Sequence, residues 1–500
     1  MNFKSSIIYG SLALLGFTTF TSCEKDLKPD VYDQFTPSTF FKDGNDVKAA
    51  LTSVYNGLMT GGYAGWGSGN GSWHVQNSMT TDELVCSWGW DGWKKMNDLN
   101  FAENFGEITG HYTTLIRKVS ECTIFMDKAN SVTMDATLKA RYIAEAKALR
   151  AHFSAILYSY YGPVPIVVDP KVAQDPLAPS VARPTDDWMT SQIEKDYKDA
   201  AAALPTAYSS SDYGRFTQGA ALTGLMKLYM QKKRWSDAVT IGQQLLTLGD
   251  GQHVYELQAN YADIFKITNK TCKEIIFAIS CRNDADQTNM WLAHVLQGDY
   301  YDPAGQALTA WGGYKMPWKT YDKFDPTDNR LTVLLRNYPV GRDASGALKY
   351  KDAKAAGLPG ALPVKYGPDP AASGESQGVD MVVWRYADVL LLLAEALNEQ
   401  GGPSNQAIDL VNRVRVRAGL TGYAYGSLSQ SQLRSKIQDE RLFELWTEGS
   451  RRDDLIRWGL FVERARESGS PFADTNKIFY PIPRQAIDES GGLIKQNQGY

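Results

Sequence analysis

Apolar residues recur at three- and four-residue intervals over most of this 500-residue chain, which is the pattern of helices that bury one stripe. Asp43 to Leu58 places Val47, Ala50, Leu51, Val54, Tyr55 and Leu58 on one face, and Tyr112 to Ala129 does the same with Leu115, Ile116, Val119, Cys122, Phe125, Met126 and Ala129. Leu138 to Tyr161 is the longest predicted helix, stopped by Gly162-Pro163 and followed by an extended Pro165 to Val168. Thr185-Asp186-Asp187 predicts a helix start for Trp188 to Leu204, closed by Pro205. Two helix pairs with short turns follow, Thr217–Gln231 with Trp235–Leu248 and Trp384–Gln400 with Asn405–Ala418. Their small and large residues are spaced as in tetratricopeptide hairpins, although insertions separate the pairs and no regular array exists. Ser431 to Thr447 and Arg451 to Arg466 complete the helical set, and Lys273 to Ser280 predicts a strand.

Two stretches break the period. At about 60–110 and 282–380, tryptophan and tyrosine alternate with glycine, asparagine and aspartate. The first contains Trp66, Trp73, Trp88, Trp90 and Trp93 with Asp82, Asp91, Asn97 and Asn100. The second contains Trp291, His294, Tyr300, Tyr301, Trp311, Tyr314, Trp318 and Tyr321. Indoles separated by glycines have no helical or strand period that buries them all, so some are expected at the surface as a flat aromatic platform. Sugar rings present a C–H face that stacks on indole, and their hydroxyls need amide or carboxylate partners. Trp318 and Tyr321 look more like core attachment than platform, and residues 339–380 are expected to form a long covering loop.

Composition sets limits. The chain has 43% apolar and 22% charged residues and a net charge of −4, which gives no support for a nucleic-acid partner. Thirteen Trp and 27 Tyr are the unusual numbers. Met1 to Phe20 reads as a signal peptide, with Lys4 ahead of an apolar run from Ile7 to Phe20. Cys86, Cys122, Cys272 and Cys281 form no metal-ligand spacing and leave their disulfide state open, except that a strand from 273 to 280, roughly 30 Å long, keeps Cys272 from Cys281.

Catalytic signatures are sparse. Five histidines show no HExxH spacing, and neither a Walker loop nor GxGxxG occurs. Gly374-Glu375-Ser376-Gln377-Gly378 fits GxSxG but follows no strand, and no histidine comes after it. His152, on the long helix, reads as a packed residue. The charges Glu440, Arg441, Glu444, Glu448, Arg451, Arg452, Asp453 and Asp454 read as a solvated or semi-buried ion-pair lattice, not an active site. No cofactor or metal is expected.

The chain ends with Phe479-Tyr480-Pro481-Ile482-Pro483, a spacer, and Gln496-Asn497-Gln498-Gly499-Tyr500. The prolines predict an extended strap across a finished surface. This strap, the run "EAKALRAHFSAILYSYYGPVP" and the run "RLFELWTEGSRRDDLIRWG" resemble the SusD/RagB family of surface glycan-binding lipoproteins of Bacteroidetes. Thr21-Ser22-Cys23 resembles the lipobox of such proteins, with Phe20 where leucine is usual.

The resemblance implies a mostly α SusD-like fold with degenerate TPR-type hairpins, long loop-rich insertions and a few short strands. It divides the chain into a signal peptide at 1–22, a lipidated Cys23 and tether at 23–40, and one domain at 41–500. It implies a surface-exposed outer-membrane location and a SusC-like TonB-dependent transporter as partner, to which a captured neutral oligo- or polysaccharide is delivered. The site it implies comprises Trp88, Trp90, Trp93, Asn97, Tyr300 and Trp311, with no catalytic residue. Two alternatives stay open, a RagB-like peptide-binding uptake protein and an α-helical toroid glycoside hydrolase.

Overall fold

A computed structural model describes residues 41–58, 66, 67, 69, 71–89, 91–284, 287–372 and 374–500. Helices dominate. The first three long ones, Gly44–Tyr55, Gly106–Ser131 and Ala136–Tyr161, pack on one another, and Ala136–Tyr161 also packs on Asp186–Ala203. Several helices begin where the sequence supplies a cap. Asp43 accepts from the amides of Asn45 and Asp46, Asp135 from Leu138, Thr185 from Trp188, Thr217 from Ala220 and Ser404 from Ala407. Ser429 and Gln432 form a reciprocal capping box at the start of Gln430–Leu445.

The two predicted hairpins form, as Gln218–Gln231 with Trp235–Leu246 and Tyr386–Gly401 with Asn405–Arg417, and the second helix of the first pair packs on the first helix of the second. The second hairpin starts later than its pattern predicts: Trp384 lies in a strand that ends at Arg385, and the helix begins at Tyr386. The Arg451–Arg466 stretch is likewise two helices, Arg451–Trp458 and Phe461–Glu467, because Gly459 adopts a left-handed φ of 74° and turns the chain. His152 is buried among Phe216, Phe277 and Trp384.

Strands are short: β1 (Val85–Cys86), β2 (Ile275–Ile279), β3 (Tyr314–Pro317), β4 (Leu334–Leu335), β5 (Asn337–Arg342), β6 (Leu348–Asp352), β7 (Gly360–Pro363) and β8 (Met381–Arg385). β2 pairs antiparallel with β8 inside the scaffold, and β5 pairs with β6 as a hairpin. The sheet β1-β3-β7-β4 joins the two insertions, with Val85 opposite Lys315 and Cys86 opposite Tyr314. Residues 339–380 are therefore not one covering loop: alternating Tyr338, Val340 and then Leu348 to Asp352 make a hairpin, and Gly360 to Pro363 is a central strand.

The charged run near the C-terminus is buried, not solvated. Arg385 donates to Glu274 at 2.8 Å and Glu448 at 2.7 Å and also pairs with Glu444. Arg330 reaches Asp328 at 2.7 Å, Glu440 at 2.6 Å and Glu444 at 3.0 Å, while Arg417 joins Glu274 and Glu444, and Lys365 joins Glu448. Burial would push the Glu444 carboxyl up, but Arg417, Arg385 and Arg330 together hold it well below the usual carboxylate range. All four free cysteines, Cys86, Cys122, Cys272 and Cys281, are thiols.

The C-terminal strap is tied to the C-terminal end of the long Ala136–Tyr161 helix, with a short helix, Arg484–Glu489, between its two extended parts. Tyr480 N–H donates to Tyr160 O, and Gln496 brackets Ile482, accepting from its N–H at 2.7 Å and donating to its carbonyl at 2.9 Å. Asn497 donates to the carbonyls of Tyr480 and Tyr161. Arg183 ties the same segment down through Lys495 O and the Asn497 side chain.

Candidate functional site

The two aromatic insertions meet. Once β1 and β3 pair, Ser87 N–H donates to Gly313 O at 2.8 Å, and the Trp88 indole lies flat on Gly313, where an added Cβ would be 2.6 Å from the ring. Trp88 Nε1 donates to Trp311 O at 2.8 Å. Trp311 is held from the other side by its own amide, which donates to Ala293 O at 2.7 Å, while Gly312 N–H donates to Leu296 O. Its backbone is thereby fixed on the Trp291–Val295 helix, and its side chain remains 40% exposed.

Behind this face runs a column of rings. His294 packs edge-on to Trp311 at 4.8 Å and stacks on Tyr314 at 4.9 Å. Tyr314 then contacts Trp93 at 5.3 Å and Trp291 at 5.4 Å, and Trp291 leads through His74 to Trp66 and Trp73 in the core. Burial lowers the His294 pKa to about 4 and that of His74 to about 3, so both are neutral rings near pH 7 and serve as packing aromatics.

The six residues assigned to the platform therefore divide. Trp311 is exposed, Trp88 and Tyr300 are half-buried on the same insertions, and Trp90 lies outside the described residues. Trp93 is only 5% exposed and meets Trp88 edge-on at 5.7 Å, so it supports the face from beneath and offers no ring to a ligand. Asn97 turns inward: its amide nitrogen donates to Met79 O at 2.6 Å and Leu84 O at 3.1 Å, tying the Asp91–Asn97 helix to the start of β1. Asp82 is likewise structural, paired to Arg451 at 2.7 Å, and although burial opposes it, that guanidinium brings the carboxyl to about 2. Cys23, the lipidation candidate, lies outside the described residues.

Three further residues lie near these insertions. Tyr350 on β6 is 60% exposed and near enough to Tyr300 to help raise its pKa. Asp299, beside Tyr300, accepts from Tyr338 and Lys351 at 3.0 and 2.7 Å. Lys315 is buried under the Trp311 turn. The exposed Lys349-Tyr350-Lys351 alternation after the Asp343 to Gly346 turn is the signal of a solvent-facing hairpin. Among the described residues, no group of three or more His, Cys, Asp or Glu side chains is arranged to hold a metal ion.

The chain is similar to known proteins in sequence and in fold. The SusD family model matches residues 359–500, and a second model, described as starch-binding and associating with the outer membrane, matches residues 26–230. A SusD-like protein of Formosa agariphila is 24% identical over the full length of both chains. A SusD homolog from Bacteroides thetaiotaomicron superposes with a TM-score of 0.79 at 22% identity, covering 93% of this chain and 99% of the other. Surface glycan-binding protein A from the same organism, solved in complex with laminarihexaose, superposes with a TM-score of 0.75 at 20% identity, covering 91% of this chain and all of the other. The N-terminal helices, the C-terminal strap and the overall fold thus agree, and the chain belongs to the SusD/RagB family.

Proposed function

We propose that this protein captures a neutral oligo- or polysaccharide on the face built by Trp311, Trp88 and Tyr300, without making or breaking a bond, and passes it to a SusC-like TonB-dependent transporter. The observation that carries the reading is Trp311: an indole 40% exposed whose main chain is fixed on both sides by hydrogen bonds. Exposed aromatic surface is unfavourable unless a ligand covers it, and a preset ring loses little entropy when one does. Next to Tyr300, Asp299 is neutralised by Lys351 at 2.7 Å, which suits an uncharged ligand. The name of the laminarihexaose-bound relative and the starch-binding description of the second family model point the same way.

Residues 1–22 are assigned as a signal peptide, Cys23 as the acylated N-terminus, 23–40 as a tether and 41–500 as one domain, which would hang the binding face on the outer membrane. Among the described residues no helix is long and apolar enough to cross a membrane. Anchoring by two or more acyl chains is stable where one is not.

Affinity electrophoresis of residues 24–500 against a panel of neutral and acidic polysaccharides tests the binding step. Retardation by a neutral glycan is expected. Retardation by none, with binding to extended peptides instead, would move the assignment to a peptide-uptake protein.

A further inference from the structure

Lys315 is fully buried in β3, and among the described residues no carboxylate pairs with it. Its Nζ instead donates to three main-chain carbonyls, Tyr314 O at 2.9 Å, Gly312 O at 3.0 Å and Val295 O at 3.1 Å. Val295 ends the Trp291–Val295 helix, where carbonyls have no intrahelical partner. Gly312 and Tyr314 belong to the turn that follows Trp311. One ammonium therefore gathers the helix end and the turn at a single point, next to the bonds from Trp311 N–H to Ala293 O and from Gly312 N–H to Leu296 O. An apolar side chain would fill this space without the penalty of burying a charge. The only work the amine performs there is to hold carbonyls.

We propose that Lys315 is a positioning residue for ligand capture: its three N–H groups clamp the Trp311–Tyr314 turn onto the Trp291–Val295 helix, and the clamp is complete only while the amine is protonated. The inference rests on the sugar-binding reading of the face above it. A neutral amine has two hydrogens and so gives up one of its three bonds; Gly312 O also accepts from Gln297 Nε2 at 3.3 Å, but Val295 O and Tyr314 O depend on the amine more heavily.

Burial supports a proton that leaves near neutrality, since it draws the amine from 10.5 to about 7. The groups facing it do not titrate there. Cys86 on β1 is pushed up to about 11, His294 on the adjacent helix is lowered to about 4, and Tyr314 is raised well above 10. β7 offers no ionisable side chain. Glu83, ahead of β1, does titrate in the same range, raised by burial to about 7 while it accepts from Ser78 and the Thr447 amide, so Glu83→Gln is needed to separate its effect from that of Lys315.

Hydrogen exchange read by mass spectrometry over residues 308–316, with glycan affinity measured at pH 6, 7 and 8.5, tests the clamp in wild type, Lys315→Met and Glu83→Gln. In Lys315→Met the Trp311 and Gly312 amides should exchange at least tenfold faster while the Ala136–Tyr161 helix keeps its protection, and affinity should drop at least fivefold. Wild-type affinity should fall from pH 6 to 8.5, Glu83→Gln should keep that fall, and Lys315→Met should show none. Unchanged exchange at Trp311 and Gly312, a flat wild-type profile, or a profile surviving in Lys315→Met overturns the proposal. If Lys315→Met does not fold, wild-type exchange at these two amides, corrected for intrinsic rate, must still rise between pH 6 and 8.5, and constancy overturns it. A wild type that binds no glycan defeats the sugar-binding reading, and the exchange result then decides the clamp separately.

Discussion

Gly313 is a position where a single methyl group would disturb the proposed binding face. A Cβ at this position would stand 2.6 Å from the Trp88 indole, so Gly313→Ala must push the ring off its seat and lengthen its bond to Trp311 O. Glycan affinity should fall about tenfold, roughly 1.4 kcal/mol, with the unfolding midpoint moved little; a titration on folded Gly313→Ala checks both. At this scale the sequence was only half legible. Glycine-spaced indoles announced that some tryptophans lack a helical or strand face, but could not say which ones pack against each other. Trp93 and Trp88 are five residues apart, and the Asp91–Asn97 helix turns the first inward while β1 leads the second to the surface. Asn97 followed the same rule: an amide among tryptophans reads as a sugar partner, until the carbonyls of Met79 and Leu84 take its donors.

Between elements, two polar devices hold the scaffold. Arg385, at the end of β8, joins Glu274 ahead of β2 to Glu444 and Glu448 around the end of the Gln430–Leu445 helix, so removing its charge leaves three buried carboxylates short of a partner. Arg385→Met should cost about 3–5 kcal/mol, measured as a drop in the urea midpoint. Because Glu444 is held below the usual carboxylate range, its share of stability is present above pH 4.5 and is lost as acid approaches its depressed value. Glu83 works in the opposite sense. Its carboxyl, raised by burial from 4.5 to about 7, favours the fold most below pH 4.5 and loses that contribution as pH rises through 7. Glu83→Gln should flatten the stability profile between pH 4.5 and 7, and urea unfolding at pH 4.5, 6 and 8 reads the slope. The strap needs Gln496 in place of a neighbouring strand, since its amide serves both polar groups of Ile482 between two prolines. Gln496→Ala should cost about 1–3 kcal/mol by leaving buried main-chain groups unmet.

For the molecule as a whole, periodicity located the long helices because each buries a stripe, but it started the Gly106–Ser131 helix six residues late, where no side chain caps it, and missed the short helices Trp73–Met79 and Asp91–Asn97. Burial of the ionic lattice was not legible, because i to i+4 charge pairs look alike on a solvated helix and on one enclosed by other elements. Nor was the pairing of β1 with β3, since two-residue strands carry no period and their partners lie more than two hundred residues apart. That pairing makes one face from two insertions, and the central claim is that the face binds a neutral glycan through Trp311. Isothermal titration of the retarding glycan against wild type, Trp311→Ala and Trp188→Ala tests it most directly, because Trp188 is 43% exposed on a helix elsewhere in the scaffold and serves as a control. At least a tenfold loss is expected for Trp311→Ala, and wild-type affinity for Trp188→Ala. Equal affinity in Trp311→Ala and wild type would contradict it.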